Sequence, residues 1–221
     1  MAIIGIAVYG SRARGEANPR ADLDLLAVVS DCPPAAALGP NHTLSCYTLR
    51  DLVCRAGIGD LFLLHVVTEA RVVYELWPVF DRIRRSFRYK DDYGREIHLA
   101  SEAGWFLARH AERFVDRKRF NERMAWCTRT ILIARAANDR RAIFSADDLA
   151  RFAGSQDVAA IIRNKECSRY DAGIAARFRE FLGTFGGPEP PPLSVGAQKA
   201  RFDADRNLVG SRAAAALIEG R

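Results

Sequence analysis

Apolar residues cluster along the chain in two distinct rhythms. In the first third they form short runs: AIIGIAVY over 2–9, LDLLAVV over 23–29, TLSCYT over 43–48 and VVYEL over 72–76. Gly, Pro and Asn bound these runs (Gly10, Asn18, Pro19 and the segment DCPPAAALGPN), so each reads as a strand. Between the strands, 12–17 reads as a short helix, and 49–56 and 61–68 read as helices interrupted by Gly57 and Gly59. Beyond Trp77-Pro78 the rhythm changes. Apolar positions recur three and four apart over 79–87, 95–116, 121–140, 146–153, 157–164 and 171–182, which predicts helices. Ser145 three residues before Asp148 predicts a helix N-cap. Gly183–Pro192 (GTFGGPEPPP) predicts a loop, and 195–219 a final helix or a loose tail.

Strands first and helices later predict an α+β front followed by an all-α bundle. The expected division is 1–77, then a helical domain over 78–185, then a Pro/Gly-rich loop and C-terminal tail or helix over 186–221. Trp105, Phe106, Phe114, Trp126, Ile131 and Leu132 recur at helical spacing and are expected in the core of the helical part.

Composition narrows the class. The 221 residues are 49% apolar and 27% charged, which excludes disorder and fibrous repeats. No apolar run nears the roughly 20 residues that span a bilayer, so no membrane role is expected. The first ten residues run directly into SRARGE and read as a strand, not as a secretory signal. Five scattered cysteines without a CxxC pair give neither a zinc knuckle nor a disulfide framework, and a reducing cytoplasm is the expected compartment. Four Lys against 29 Arg fit a GC-rich bacterial genome.

Charge divides unevenly. Residues 1–77 hold six Arg against eight Asp and Glu, whereas the rest holds 27 basic and 19 acidic residues. A basic helical part favours an anionic partner, RNA or an acidic protein surface, over a cationic small molecule. Arg117-Lys118-Arg119, Arg140-Arg141 and Arg163-Asn164-Lys165 are mostly expected to be solvated helix ends.

The candidate chemistry lies in Gly10-Ser11-Arg12-Ala13-Arg14-Gly15 and, after ten residues from Ser11, Asp22-Leu23-Asp24. A strand ending in Gly-Ser before a helix offers backbone N–H groups to a phosphate; Gly10 lets it approach closely, and Ser11 adds a hydroxyl. Arg12 and Arg14 add positive charge for a triphosphate. Asp22 and Asp24, two apart on a strand, share a face, with Leu23 and Leu25 expected on the opposite, core side. Paired carboxylates suit Mg²⁺, or Mn²⁺ in its place. His65 sits on an apolar helix and is expected at the core boundary; His98 and His110 are expected on solvated helix faces.

Gly10-Ser11-x10-Asp22-Leu23-Asp24 resembles the signature of the DNA polymerase β-like nucleotidyltransferase superfamily, in its minimal bacterial branch. That branch includes antitoxins paired with HEPN toxins and is related to aminoglycoside nucleotidyltransferases. Gly59–His65 and Val72–Tyr74 are similar to the helix and strand that close such a domain. The resemblance implies a mixed sheet with flanking helices over about 1–77, a triphosphate held by Gly10 and Ser11, and Mg²⁺ held by Asp22 and Asp24. It implies attack of an acceptor hydroxyl on the α-phosphorus, with release of pyrophosphate. One metal ion lowers the hydroxyl pKa and the other neutralises the leaving group. The nucleotide is expected to be ATP, with transfer to RNA or protein, and a partner protein or homo-oligomer fits this branch.

The chain departs from the pattern in one place. The third carboxylate usually comes from the next core strand, which here reads His42-Thr43-Leu44-Ser45-Cys46-Tyr47-Thr48, and Asp51 falls on the following helix. The alternative reading is therefore a nucleotide-binding regulatory or antitoxin-like module without efficient turnover. Aminoglycoside transfer ranks behind both on charge. The Arg and His spacing of HEPN nucleases is missing from the helical part, so a fused nuclease is not expected.

Overall fold

The structure is a computed structural model that describes residues 2–15, 23–31 and 42–220, with the side chains of His42 and Thr43 excepted. The chain divides into two compact units, Met1–Asp91 and Asp92–Arg221.

The first unit is built on a four-stranded mixed sheet. Its strands are β1 (Ile3–Tyr9), β2 (Leu23–Val29), β3 (His42–Thr48) and β4 (Arg71–Glu75), in the order β3-β2-β1-β4. β1 runs antiparallel to β2 and β4, and β2 runs parallel to β3. The helices are α1 (Ser11–Arg14), α2 (Leu49–Gly57), α3 (Leu61–Glu69) and α4 (Val79–Ser86). Side chains alternate across a sheet, and Ala7, Tyr9, Leu26 and Val28 share one face. They pack with Leu52, Ala56, Leu63, Val66, Phe80 and Ile83 of the helices into one core.

That register corrects one expectation. Leu23 and Leu25 are only half-buried and lie outside this core, whereas Leu26 and Val28, which share Asp24's parity, belong to it. Asp24 thus projects from the helix-covered face, at its open end.

The change of rhythm at Trp77-Pro78 falls inside this unit. Val79, Phe80 and Ile83 of α4 are buried in its core. The following segment is then held against the α2–α3 turn, where Arg88 N donates to Ala56 O at 3.0 Å. Gly59 makes this approach possible. Its φ is +69°, and a Cβ there would lie 2.6 Å from the Arg88 carbonyl oxygen.

The second unit is all helix apart from its connections. It contains α5 (Gly94–Arg109), α6 (Arg117–Asn138), α7 (Ala146–Ala153), α8 (Gln156–Arg163), α9 (Ala172–Phe185), α10 (Val195–Ala204) and α11 (Leu208–Glu219). Phe106, Leu107, Phe120, Ile131, Leu149, Ile161, Phe178 and Phe202 anchor its core. The Ser145 N-cap forms as expected, its hydroxyl accepting from Asp148 N at 3.0 Å. Three expected helices differ in extent. In one, α9 continues to Phe185, three residues into the expected Gly183–Pro192 loop. The segment 95–116 stops at Arg109; a 3-10 turn follows over Ala111–Arg113, and Asp116 then caps the next helix by accepting from Arg119 N at 3.0 Å. The segment 195–219 is two helices, divided where Arg206 takes φ +58° and Asn207 caps α11. Trp126 also departs from its expected burial, at 41% exposed.

Among the described residues, no helix is long and apolar enough to cross a membrane.

Candidate active site

The two halves of the sequence motif meet at the end of β1. Tyr9, the last residue of β1, is paired with Asp24 on β2. Gly10 follows with φ +77° and ψ −157°, a region that side chains strongly disfavour, and α1 starts at Ser11. A Cβ on Gly10 would lie 2.8 Å from Asp24 Oδ2. The carboxylate therefore sits against the bare Cα of the Gly-Ser turn, which a larger residue would obstruct. Asp22 lies outside the described residues.

Ser11 is half-buried and Arg12 exposed at the start of α1. Arg14 turns the other way. Its Nη1 donates to Glu69 Oε2 on α3 at 2.7 Å, with both side chains largely buried. His65 Nε2 lies 2.5 Å from the same Glu69 oxygen. Arg14, Glu69 and His65 thus fasten the short helix after the Gly-Ser turn to α3. Among the six site residues read from sequence, the structure brings Gly10, Ser11 and Asp24 together and ties Arg14 to α3. The spacing of His65 and Glu69, four apart on one helix, signalled half of this cluster; no local signal linked Arg14 to it.

Tyr9 roofs this corner. Its ring meets Phe62 and His65 edge to face at 5.5 and 5.6 Å. Its hydroxyl lies 3.4 Å from Ser45 Oγ on β3. Burial pushes the Tyr9 phenol above its ordinary range, opposed by the Ser45 hydrogen bond and reinforced by the Asp24 charge. Tyr9 therefore stays protonated beside the carboxylate.

On β3, Thr43 is the residue in register with Asp24. Asp51 lies on α2, as expected, and is engaged there: Thr48 Oγ1 donates to Asp51 Oδ2 at 2.7 Å and accepts from Asp51 N at 3.1 Å. Among the described residues, no three His, Cys, Asp or Glu side chains form a metal-binding group. A hard carboxylate against a glycine cradle is nonetheless the donor chemistry that Mg²⁺ with a phosphate requires.

Residues 2–102 match the nucleotidyltransferase domain family. The match is consistent with the polymerase β-like nucleotidyltransferase superfamily. The match covers the whole sheet, including the Gly-Ser turn and the Asp22-Leu23-Asp24 sequence, and reaches α5. The match fits the mixed sheet and its helices, and it supports nucleotidyl transfer as the general chemistry of residues 2–102. No curated protein matches the chain.

Proposed function

We propose that the protein transfers a nucleoside monophosphate from a metal-bound nucleoside triphosphate, ATP in the first instance, to a hydroxyl of an RNA or protein acceptor. The observation that carries this reading is the close approach of Asp24 to the Gly10 turn. In it, Gly10 and Ser11 bind the triphosphate through backbone N–H groups and the Ser11 hydroxyl, and Arg12 adds charge from the exposed side of α1. Asp22 and Asp24 would hold Mg²⁺ or Mn²⁺. When bound, the ion offsets triphosphate charge and acidifies the acceptor hydroxyl. The acceptor hydroxyl gives up its proton to solvent as its oxygen bonds to the α-phosphorus, the bond from that phosphorus to the bridging oxygen breaks, and pyrophosphate leaves with the electron pair. Tyr9 and the Arg14–Glu69 pair hold the turn and the carboxylate strand in place.

The test is label transfer from each α-³²P nucleoside triphosphate, with Mg²⁺ or Mn²⁺, to bacterial RNA and to lysate proteins. Label is expected in one fraction with the native protein and in neither with Asp22→Asn plus Asp24→Asn. Transfer that survives the double substitution overturns the mechanism.

A second reading has its own support. Thr43 stands in register with Asp24, and Asp51 is committed to a helix cap. A module that binds the metal–nucleotide complex and turns over slowly fits that arrangement. Metal-dependent nucleotide binding without label transfer would favour it.

A further inference from the structure

The second unit carries a basic groove that the nucleotidyl-transfer chemistry leaves unused. It lies between the start of α6 and the end of α11 and encloses about 440 Å³, lined by Phe114, Asp116, Arg119, Arg123, Arg212 and Glu219 among others. That volume is in the range of small-ligand pockets.

Its charges do not cancel locally at Arg123. The Arg123 side chain is half-buried, and its Nη2 donates to the main-chain oxygen of Arg212 at 3.3 Å, a neutral acceptor. Asp116 is already engaged, accepting from Arg119 N and pairing with Arg119 Nε at 3.2 Å. Glu219 lies at the exposed end of α11. Burial, together with the Arg119 and Arg212 charges, pulls the Arg123 guanidinium below its ordinary range, against the weaker opposing pull of Asp116 and Glu122. A partly desolvated cation among cations is relieved by an anion, and Arg forks suit phosphate oxygens.

An exposed aromatic lies on the same helix face. Arg119, Arg123 and Trp126 stand at i, i+4 and i+7 on α6, one stripe about 10 Å long. Trp126 is 41% exposed although it sits on the central helix of an otherwise well-buried unit. Guanidiniums beside an accessible indole are the combination that binds a single strand, with phosphates on the cations and bases stacked on the ring. An acidic protein surface would use the cations and leave the indole without a role.

We propose that this α6–α11 groove binds single-stranded RNA, with Arg119, Arg123 and Arg212 on its phosphates and Trp126 stacking a base. As the docking site of the acceptor it deepens the transfer reading and rests on it for its biological purpose, but the binding itself needs neither nucleotide nor metal.

The test uses the full chain and a fluorescein-labelled twelve-nucleotide single-stranded RNA of mixed sequence. Anisotropy is read across a salt series without nucleotide or metal. Arg119→Glu plus Arg212→Glu is expected to weaken binding at least tenfold and to lower the salt slope by about 0.7 for each phosphate no longer neutralised. Trp126→Ala is expected to weaken binding roughly tenfold with the salt slope kept. Arg151→Glu plus Arg177→Glu, the same charge change elsewhere on the unit, is expected to have little effect. Circular dichroism confirms that each variant folds.

No binding by the native protein at low salt overturns the proposal, as does equal loss in the groove and control variants. Binding that polyglutamate displaces as well as unlabelled RNA, and that ignores Trp126→Ala, assigns the groove to an acidic protein and also overturns it. Transfer is scored separately. RNA binding through the groove with no label transfer sinks the transfer reading alone, and label transfer to protein without RNA binding sinks the groove alone.

Discussion

At position 10 the backbone conformation and the chemistry make the same demand. Gly10 has φ +77°, and its missing Cβ is the space that Asp24 Oδ2 approaches. Gly10→Ala is therefore expected to strain the turn and displace the carboxylate together. Nucleotide affinity should fall at least tenfold, while stability falls by only about 1–2 kcal/mol. Isothermal titration with a non-hydrolysable nucleotide analogue and urea unfolding separate the two effects. His110 gives a pH prediction at the same scale. Burial, with Arg113 and Arg109 nearby, pulls its pKa below the ordinary value. A lowered histidine pKa gives stability that is present above about pH 6.5 and is lost as the pH falls through the folded value. His110→Gln should flatten the fall in melting temperature between neutral pH and pH 5. The turn at Gly10-Ser11 and the strand that carries Asp24 were legible because their signals are local: a glycine at a strand end, a helix start and a short apolar run. Arg14 was not. Its partner Glu69 lies 55 residues away, and only the fold brings them together.

Among the elements, α1 is too short to hold itself in place, since four residues form barely one turn. The largely buried Arg14–Glu69 pair supplies the missing anchor to α3. Glu69→Gln should cost about 1–3 kcal/mol in urea unfolding, because it removes the carboxylate charge that faces Arg14. Nucleotide affinity should weaken with it, as the Gly-Ser turn loses its support. Unchanged affinity would show that the turn holds without α3. A simpler element prediction concerns α2, whose N-cap Thr48 accepts from Asp51 N. Thr48→Ala should lower stability by about 1 kcal/mol in the same assay. The elements themselves were readable from period and punctuation, and all four strands appear near their expected limits. Where the reading ran long, at 95–116 and 195–219, the apolar period continues across a break that capping decides. Asp116 and Asn207 each take the N–H groups of the next helix, and hydrophobic spacing carries no record of that competition.

For the whole molecule, the alternation of rhythms along the chain does reflect an α+β unit followed by a helical one, but the unit's edge does not fall where the rhythm changes. The period of α4 is helical, and only its burial against the sheet core shows that it belongs with the strands. The charge division, acidic in front and basic behind, was visible as a sum; its concentration beside Trp126 was not, because α6 and α11 supply the groove from positions some ninety residues apart. Each unit has its own closed set of apolar side chains. A cavity cut into one should therefore be felt within that set. Leu52, fully buried under the sheet, and Phe178, fully buried among the helices, are matched probes. Leu52→Ala should cost about 2–5 kcal/mol and Phe178→Ala about 3–5 kcal/mol. Native-state hydrogen exchange would read where the destabilisation falls. Leu52→Ala should lower amide protection across β1–β4 and α2–α4, and Phe178→Ala across α5–α11. Protection that drops evenly over the whole chain from either substitution would show that the two cores melt as one cooperative structure, and the division into units would then describe packing without describing stability.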